Sequence, residues 1–486
     1  MEFKRPIFTK VSDVIWEMPK EFKRGMLVPG RIYATEKLLK EMDNPVFDQL
    51  ANVAALPGIQ NYVFALGDAH SGYGFNIGGA AAFDPEEGGI ISPGGVGVDI
   101  NCGMRLILTD LTVDEVKPKV KELVDNLFKA VPVGVGAKSA FKIRESEFKT
   151  IAEEGAKWAI KKGYGWKEDI ERTELNGTAE WADSSKISDK VIARGINQMG
   201  TLGSGNHYLE IQFIRDENIV DKRIAKKWGL FKNQVVITFH CGSRGAGHQI
   251  ATDYLQKFLP IMETKYKIKI PDKELASVPF NSSDGQDYYK AMGCGVNVSF
   301  VNRQLIMHNV RTVFSKIFNK DPEKLGMRQL FDIAHNRASV ERYNIDGVTK
   351  TLVVHRKGAT ASYSPGRKEI PKIYRSDGLP IIVGGSMETG SYLLSGGDRS
   401  EQTFCTTAHG AGRTMSRTKA RGLFKGEDIQ KSMFERGIYE KSNSWTGLAE
   451  EAGQAYKDID EVVNSAEMAG LSRRIVKLLP IGGIKG

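Results

Sequence analysis

Cysteine is scarce in this chain. There are four in 486 residues, Cys102, Cys241, Cys294 and Cys405, and no two form a C-x-x-C pair. Such spacing excludes a disulfide framework and fits a reducing cytoplasm. No stretch approaches the ~18 uninterrupted apolar residues of a membrane span. The opening Met1-Glu2-Phe3-Lys4-Arg5-Pro6 has no apolar core of a secretory signal. A cytoplasmic protein without a membrane partner is therefore expected. Internal repeats, low-complexity tracts and Pro/Ser linkers are also missing. So are H-E-x-x-H and a G-x-G-x-x-G following a strand, which removes support for zincin and Rossmann readings. Gly385-Ser386-Met387-Glu388-Thr389-Gly390-Ser391 has P-loop glycine spacing without the lysine, and only an anion-binding turn survives of that motif. No K-x-D-G motif of lysine-adenylating ligases is found.

What is present is ordinary in bulk. Hydrophobic residues make up 41% and charged residues 26%, as in soluble globular proteins. Length alone would suggest about three domains at ~150 residues each. Sixty-eight basic residues against 59 acidic ones leave a net charge of +9. A surplus of that sign favours polyanions such as RNA, and by itself it also fits a non-catalytic RNA-binding protein.

Apolar strands alternate with glycine turns from about residue 60 to 108, 235 to 245 and 350 to 395. Val235–His240 and Thr351–His355 are rich in β-branched residues and read as buried strands, with Phe331–His335 a further candidate. Thr112-Val113-Asp114-Glu115 is a capping box. Val116, Val120, Leu123, Val124, Leu127, Phe128 and Val131 follow it at helical spacing, with Pro118 in a first turn or at a restart. Residues 140–195 are charged and helical in pattern, a solvated excursion or a flap over a site. The tail from about 425 to 477 again reads as helical.

The segment Ser92-Pro93-Gly94-Gly95-Val96-Gly97-Val98-Asp99-Ile100-Asn101-Cys102-Gly103 carries the first chemistry. Its glycines permit positive φ and a tight bend. The bend presents a carboxylate and a thiol three residues apart, suited to a metal. Alone, the segment equally fits a glycine turn with one buried cysteine. Histidines shift that balance. Of eight, four stand in motif-like settings: GSGNH at His207, HCGSRG at His240, AHN at His335 and HGAGR at His409. Three imidazoles, a carboxylate and a bridging thiolate suffice for two divalent ions, a pairing suited to phosphoryl chemistry. Thiolate softness favours zinc, and carboxylate and phosphate oxygens favour manganese or magnesium. His409 differs, because Gly410 and Gly412 allow a phosphate close to the backbone and Arg413 adds a planar cation. The competing reading is a tight turn with a surface histidine.

Together these motifs resemble the RtcB-type RNA ligases in an archaeal-like form. The matching blocks are GDAHSGYGFNIGG (67–79), ISPGGVGVDINCGMR (91–105), GSGNHYLE (203–210), FHCGSRGAGHQ (239–249), DIAHN (332–336), VVHRKGAT (353–360), GSM (385–387), AHGAGR (408–413) and IGGIKG (481–486). The resemblance implies an α+β fold in one catalytic domain spanning 1–486, with mixed sheets and peripheral helices. It implies a GTP- and manganese-dependent ligase of tRNA splicing and RNA repair. Such an enzyme joins a 2′,3′-cyclic phosphate or 3′-phosphate RNA end to a 5′-hydroxyl end. Asp99, Cys102, His207, His240 and His335 would hold two manganese ions with Cys102 bridging, and His409 would become guanylylated. GTP would meet Asn206, His207, Tyr208, Leu209, Glu210, His335, Asn336, Gly384, Gly385, Ser386, Met387, Ser391, His409, Gly410, Ala411, Gly412, Tyr456 and Lys485. Arg194, Arg244, Arg413 and Arg417 would meet RNA or nucleotide phosphates, and an archease-type activator would be a partner. A functional Lys485 would explain a chain end that is tied down rather than frayed. Two positions depart from the family pattern, Ala408 where cysteine is frequent and Gly384 where proline is common. Both bear on local packing or nucleotide-loop stiffness. The rival reading is a binuclear metallophosphodiesterase that opens cyclic phosphate ends without ligating; His409 and Lys485 argue against it.

Overall fold

The structure is a computed structural model and describes residues 5–269 and 272–486. Met1–Lys4, part of the stretch read for a signal, lies outside the described residues. Two large mixed sheets dominate. One has seven strands in the order Thr9–Ser12, Ile15–Met18, Gly30–Tyr33, Val63–His70, Ile77–Phe83, Val348–Lys357, Asn336–Ile345. The other runs Gln329–Ala334, Gly103–Thr112, Gln234–Cys241, Tyr208–Phe213, Ser472–Lys485, Ser391–Gly396, Pro380–Gly384, with Tyr439–Ser442 paired in parallel to Ser472–Lys485. A two-stranded ribbon, Ala359–Ala361 with Thr406–Ala408, leads into His409. The expected α+β class is what forms; two expected strands fall inside Gln234–Cys241 and Val348–Lys357, and the third overlaps Gln329–Ala334, with His335 just past its end.

The helices are less peripheral than expected. Ser283–Phe318 runs 36 residues, about 54 Å at 1.5 Å per residue, and every residue from Ala291 to Met307 is buried. A helix apolar on most sides must be enclosed. One part of it packs with Phe148, Trp158 and Tyr254, and its later turns pack with Leu123, Leu127 and Phe239. Residues 140–195 are therefore anchored to the core along one face, with a charged face left to solvent. Phe148, Ile151, Trp158 and Ala159 on Glu145–Glu154 and Ala156–Lys161 are core, and Trp181 stacks on Tyr289 at 5.2 Å. Asp169 is buried against Arg311 at 2.7 Å. Most charges of the stretch, among them Lys149, Glu153, Lys161 and Glu168, lie on its solvent face, and only Asp169 and Glu174 are buried.

The capping box forms, with Thr112 N–H donating to Glu115 at 2.8 Å. Pro118 lies in a short 3-10 turn, and the helix restarts as Val120–Ala130. The tail differs from expectation: helices at Gly426–Glu435, Trp445–Glu450 and Ile459–Met468 are interleaved with the strands Tyr439–Ser442 and Ser472–Lys485. Gly470, at φ +75°, stops the helix Ile459–Met468, and Ser472–Lys485 after it joins the sheet.

Candidate metal centre and nucleotide cleft

The glycine-rich segment bends differently from its sequence reading. Pro93–Val96 is one helical turn, and only Gly97 of the segment's four glycines takes positive φ, +92°. The left-handed residue just before Cys102 is Asn101, at φ +55°. The other glycines serve close approach: a Cβ on Gly94 would lie 2.4 Å from the Glu274 carbonyl, and one on Gly103 2.4 Å from that of Ile333.

Strand register gathers the donors. Gly103 pairs with Cys241 and Ala334, and Tyr208 pairs with His240. Cys102, His207, His240 and His335 thus stand at one end of four neighbouring strands. Their side chains form a line. Asp99 Oδ2 is 3.0 Å from His207 Nε2, and Cys102 Sγ is 3.3 Å from His207 Nε2 and 3.1 Å from His240 Nε2. His240 Nε2 lies 3.1 Å from His335 Nε2, and the His335 ring is 4.7 Å from that of His409.

The protons explain what such a line suits. His207 Nδ1 donates to the Leu202 carbonyl at 2.9 Å, and His240 Nδ1 to that of Asn206 at 3.0 Å. A carbonyl only accepts, so both rings present Nε2 towards the thiol. Cys102, His207 and His240 offer ligand atoms within 4.8 Å of one another. Nitrogen lone pairs converging on one thiol lack the protons to satisfy each other, and a cation satisfies all of them. Backbone anchoring of Nδ1 is the usual support of metal-ligating histidine. Without a cation, charge divides unevenly along the line. Burial opposes charge on His207, yet Cys102, Cys241 and Asp99 outweigh it and raise its pKa well above 6.5. Burial and the neighbouring histidines hold His240 and His335 well below that value. Burial and Asp99 push the Cys102 thiol up to about 12.

His409 is held from the opposite sheet. Asp68, fully buried in Val63–His70, accepts from His409 Nδ1 at 2.6 Å, from the His409 amide at 3.0 Å and from the Gly410 amide at 3.3 Å. Burial acts to raise the Asp68 pKa, and the bonds from His409 more than reverse it. With Nδ1 fixed against Asp68, Nε2 is the ring nitrogen left free of that carboxylate. A Cβ on Gly412 would come 2.1 Å from the Asp68 carbonyl, so this loop closes only with glycine. Sequence reading missed Asp68, although it stands in the GDAHSGYG block, a carboxylate between small residues at a strand end. Gly384 donates its amide to the His409 carbonyl at 3.3 Å, a bond that proline cannot make. Ala408 is buried in the ribbon opposite Ala359.

A cleft of about 960 Å³ opens above the line, bordered by Asn206, Tyr208, Asn336, Gly384, Gly385, Gly410, Ala411, Gly412, Tyr456 and Lys485. Pairing of Lys485 with Tyr208 builds the chain end into the sheet, and Nζ sits 5.3 Å from the Tyr208 ring. Glu210 accepts from Gln212 at 2.7 Å, and Gln212 also donates to Ser391 at 3.1 Å. Burial, opposed by Lys485, pushes Glu210 up to about 7. Neither Glu210 nor Ser391 borders the cleft. Leu209 faces the other side of its strand, into the core with Ile211 and Ile237. Met387 packs with Met433 and Leu448, and Ser386 turns back to Thr389 at 3.1 Å, so these two also stand behind the cleft wall. Asn336 borders the cleft while its amide bonds the Asp99 carbonyl and the Gly358 amide.

All four candidate arginines line the cleft. Arg194 bonds Gln249 at 3.0 Å, and Arg244, at φ +56°, packs where any side chain on Gly203 would clash. Arg413 and Arg417 converge instead on Glu451, at 3.2 and 3.3 Å, joined by Lys485 at 3.6 Å and the Tyr456 hydroxyl. Glu451 is fully buried and was invisible in sequence, where it is one acid in a helical tail.

An α+β chain with a thiol–imidazole cluster at the floor of a cationic cleft is, by class, a candidate metalloprotein for an anionic ligand. Residues 49–486 match the family model described as tRNA-splicing ligase RtcB. The chain is 47% identical over 479 residues to the tRNA-splicing ligase RtcB of Methanococcus maripaludis, covering 98% of this chain and 99% of the relative. It is 46% identical to that of Thermococcus kodakarensis (98% of each) and 44% to that of Archaeoglobus fulgidus (99% of each). The chain belongs to the RtcB family.

Proposed function

We propose that this protein is an RNA ligase of tRNA splicing, acting as one catalytic unit over residues 1–486. It seals 2′,3′-cyclic phosphate or 3′-phosphate ends to 5′-hydroxyl ends, with GTP as a substrate. The observation that carries the reading is the unbroken line Asp99–His207–Cys102–His240–His335–His409–Asp68 in one cleft. Asp99, Cys102, His207, His240 and His335 are the residues to hold two manganese ions. When bound, such ions neutralise charge on the reacting phosphates.

His409 Nε2 is the nucleophile. It attacks the α-phosphorus of GTP, forms a P–N bond and releases pyrophosphate. The imidazole becomes cationic, and the Asp68 carboxylate opposite Nδ1 stabilises that charge, as in triads where an acid orients a histidine. Water opens the cyclic phosphate to a 3′-phosphate, an oxygen of which takes the guanylyl group from His409. The RNA 5′-hydroxyl then attacks the activated 3′-phosphorus, and GMP leaves. Gly410, Ala411 and Gly412 let phosphates approach the backbone, and Arg194, Arg244, Arg413 and Arg417 supply positive charge for them. Lys485, Tyr456, Asn206 and Asn336 form the guanine end, backed by Glu210, Ser386 and Ser391 behind the cleft wall. A cleft of about 960 Å³ has room for a nucleotide and an RNA terminus. An archease-type activator belongs to the same reading, as do manganese as the ion and the cytoplasm as the compartment.

The phosphodiesterase alternative uses His409 only as an acid or base and forms no covalent nucleotide. Incubation with Mn2+ and α-labelled GTP tests the choice. Covalent label that is alkali-stable, acid-labile and absent from His409→Ala is expected; an unlabelled wild type overturns the ligase reading.

A further inference from the structure

Behind the donor line, on the side away from the cleft, lies Arg303 of the interior helix Ser283–Phe318, wholly buried. Its guanidinium is fully engaged. Nε and Nη2 grip Asp332 at 2.8 Å each. Nη1 donates to the carbonyls of Asn101 and Cys241, both at 2.8 Å, and to Ser299 Oγ at 2.6 Å. Asn101 precedes Cys102, Cys241 follows His240, and Asp332 lies on the strand that delivers His335. One planar cation thus joins the three chain segments that carry Cys102, His240 and His335.

Charge balance does not require this arrangement, because Asp332 also pairs with Arg105 at 2.7 Å. The Asp99–His207 end has separate supports. Leu202 anchors the His207 ring, Asn336 donates to the Asp99 carbonyl at 3.1 Å, and Ser243 donates to the Asp99 carboxylate at 3.3 Å. We infer that Arg303 is a positioning residue for one half of the donor line: it holds Cys102, His240 and His335 in mutual register and sets the affinity for the cation those three share, while the cation at Asp99 and His207, which meets only the bridging Cys102 from that half, rests mainly on its own supports. The inference rests on the two-ion reading above. Lysine cannot replace the fork, since a single ammonium does not span a bidentate carboxylate and two separate carbonyls.

Equilibrium dialysis with Mn2+, and Co2+ titration followed by thiolate-to-metal absorption, test this on the full chain. Wild type should hold two ions. Arg303→Met and Arg303→Lys should weaken one of them about 10- to 100-fold, the usual effect of losing a support behind metal ligands, and leave the other within about threefold. Arg303→Lys keeps an interior charge and serves if Arg303→Met does not fold. Combined with His335→Ala, the Arg303 change should add nothing further; combined with Asp99→Asn, neither ion should be held tightly. Wild-type affinity for both ions in either variant, or equal weakening of both, overturns the inference. A wild type that binds fewer than two ions instead overturns the two-ion reading, and this inference with it.

Discussion

Asp68→Asn is the sharpest probe of the proposed nucleophile. The same Asp68 oxygen receives His409 Nδ1 at 2.6 Å and the amides of His409 and Gly410 at 3.0 and 3.3 Å. In the variant, those two amides hold the asparagine oxygen, not its NH2, at that position. Nδ1 therefore keeps an acceptor, the tautomer is preserved, and only the negative charge is lost. A hydrogen bond to a charged partner contributes roughly 1.5–3 kcal/mol, about twice a neutral one. Loss of charge opposite a forming imidazolium should then cost the difference between the two, about 1–1.5 kcal/mol, or about 5- to 13-fold in rate. Single-turnover transfer of GMP from labelled GTP to the protein measures this directly, with Mn2+ affinity as the control that should not move. A guanylylation rate within about threefold of wild type would refute the argument that Asp68 stabilises charge on His409.

Three further outcomes are expected. Cys102→Ala and His335→Ala should each abolish guanylylation in the labelling assay, because each removes a donor from the line, and near-normal activity in either contradicts the metal assignment. Lys485→Ala should raise the KM for GTP roughly 10- to 100-fold, as expected for a lost contact to a charged group, with Mn2+ binding unchanged; an unaltered KM removes Lys485 from the guanine site. Burial holds His355 neutral, its pKa lowered to about 3. The unfolded chain therefore binds a proton below pH 6.5 that the native state refuses, so stability falls as the pH drops. This histidine should cost about 2 kcal/mol between pH 7 and pH 5. His355→Gln keeps an acceptor for the Ser92 amide and should flatten the urea midpoint against pH by about one proton; an unchanged slope shows that His355 does not titrate this way.

Much of the site was legible because its residue types are chemically unusual where they stand. Histidines beside Gly, Asn or Ser at the ends of β-branched runs, and one Asp–Cys pair after a glycine turn, are local patterns, and local patterns survive in a linear string. Strands reading as Gln234–Cys241 and Gln329–Ala334 could be placed for the same reason. Register is different. That Gly103 faces both Cys241 and Ala334, and so draws Cys102, His240 and His335 together, depends on pairings across more than 100 residues. Asp68 behind His409 at a separation of 341 residues, Glu451 beneath two arginines and Lys485, and Arg303 across three ligand-bearing segments are partners chosen by packing. The helical stretch at 140–195 is tied down for the same reason: its apolar face, with Phe148, Ile151 and Trp158, finds its partners only in the folded interior. Sequence alone thus determined which groups carry the chemistry, since that depends on side-chain type and near neighbours. Tertiary structure decided which groups hold them in place, because burial makes a distant carboxylate or guanidinium the strongest available partner.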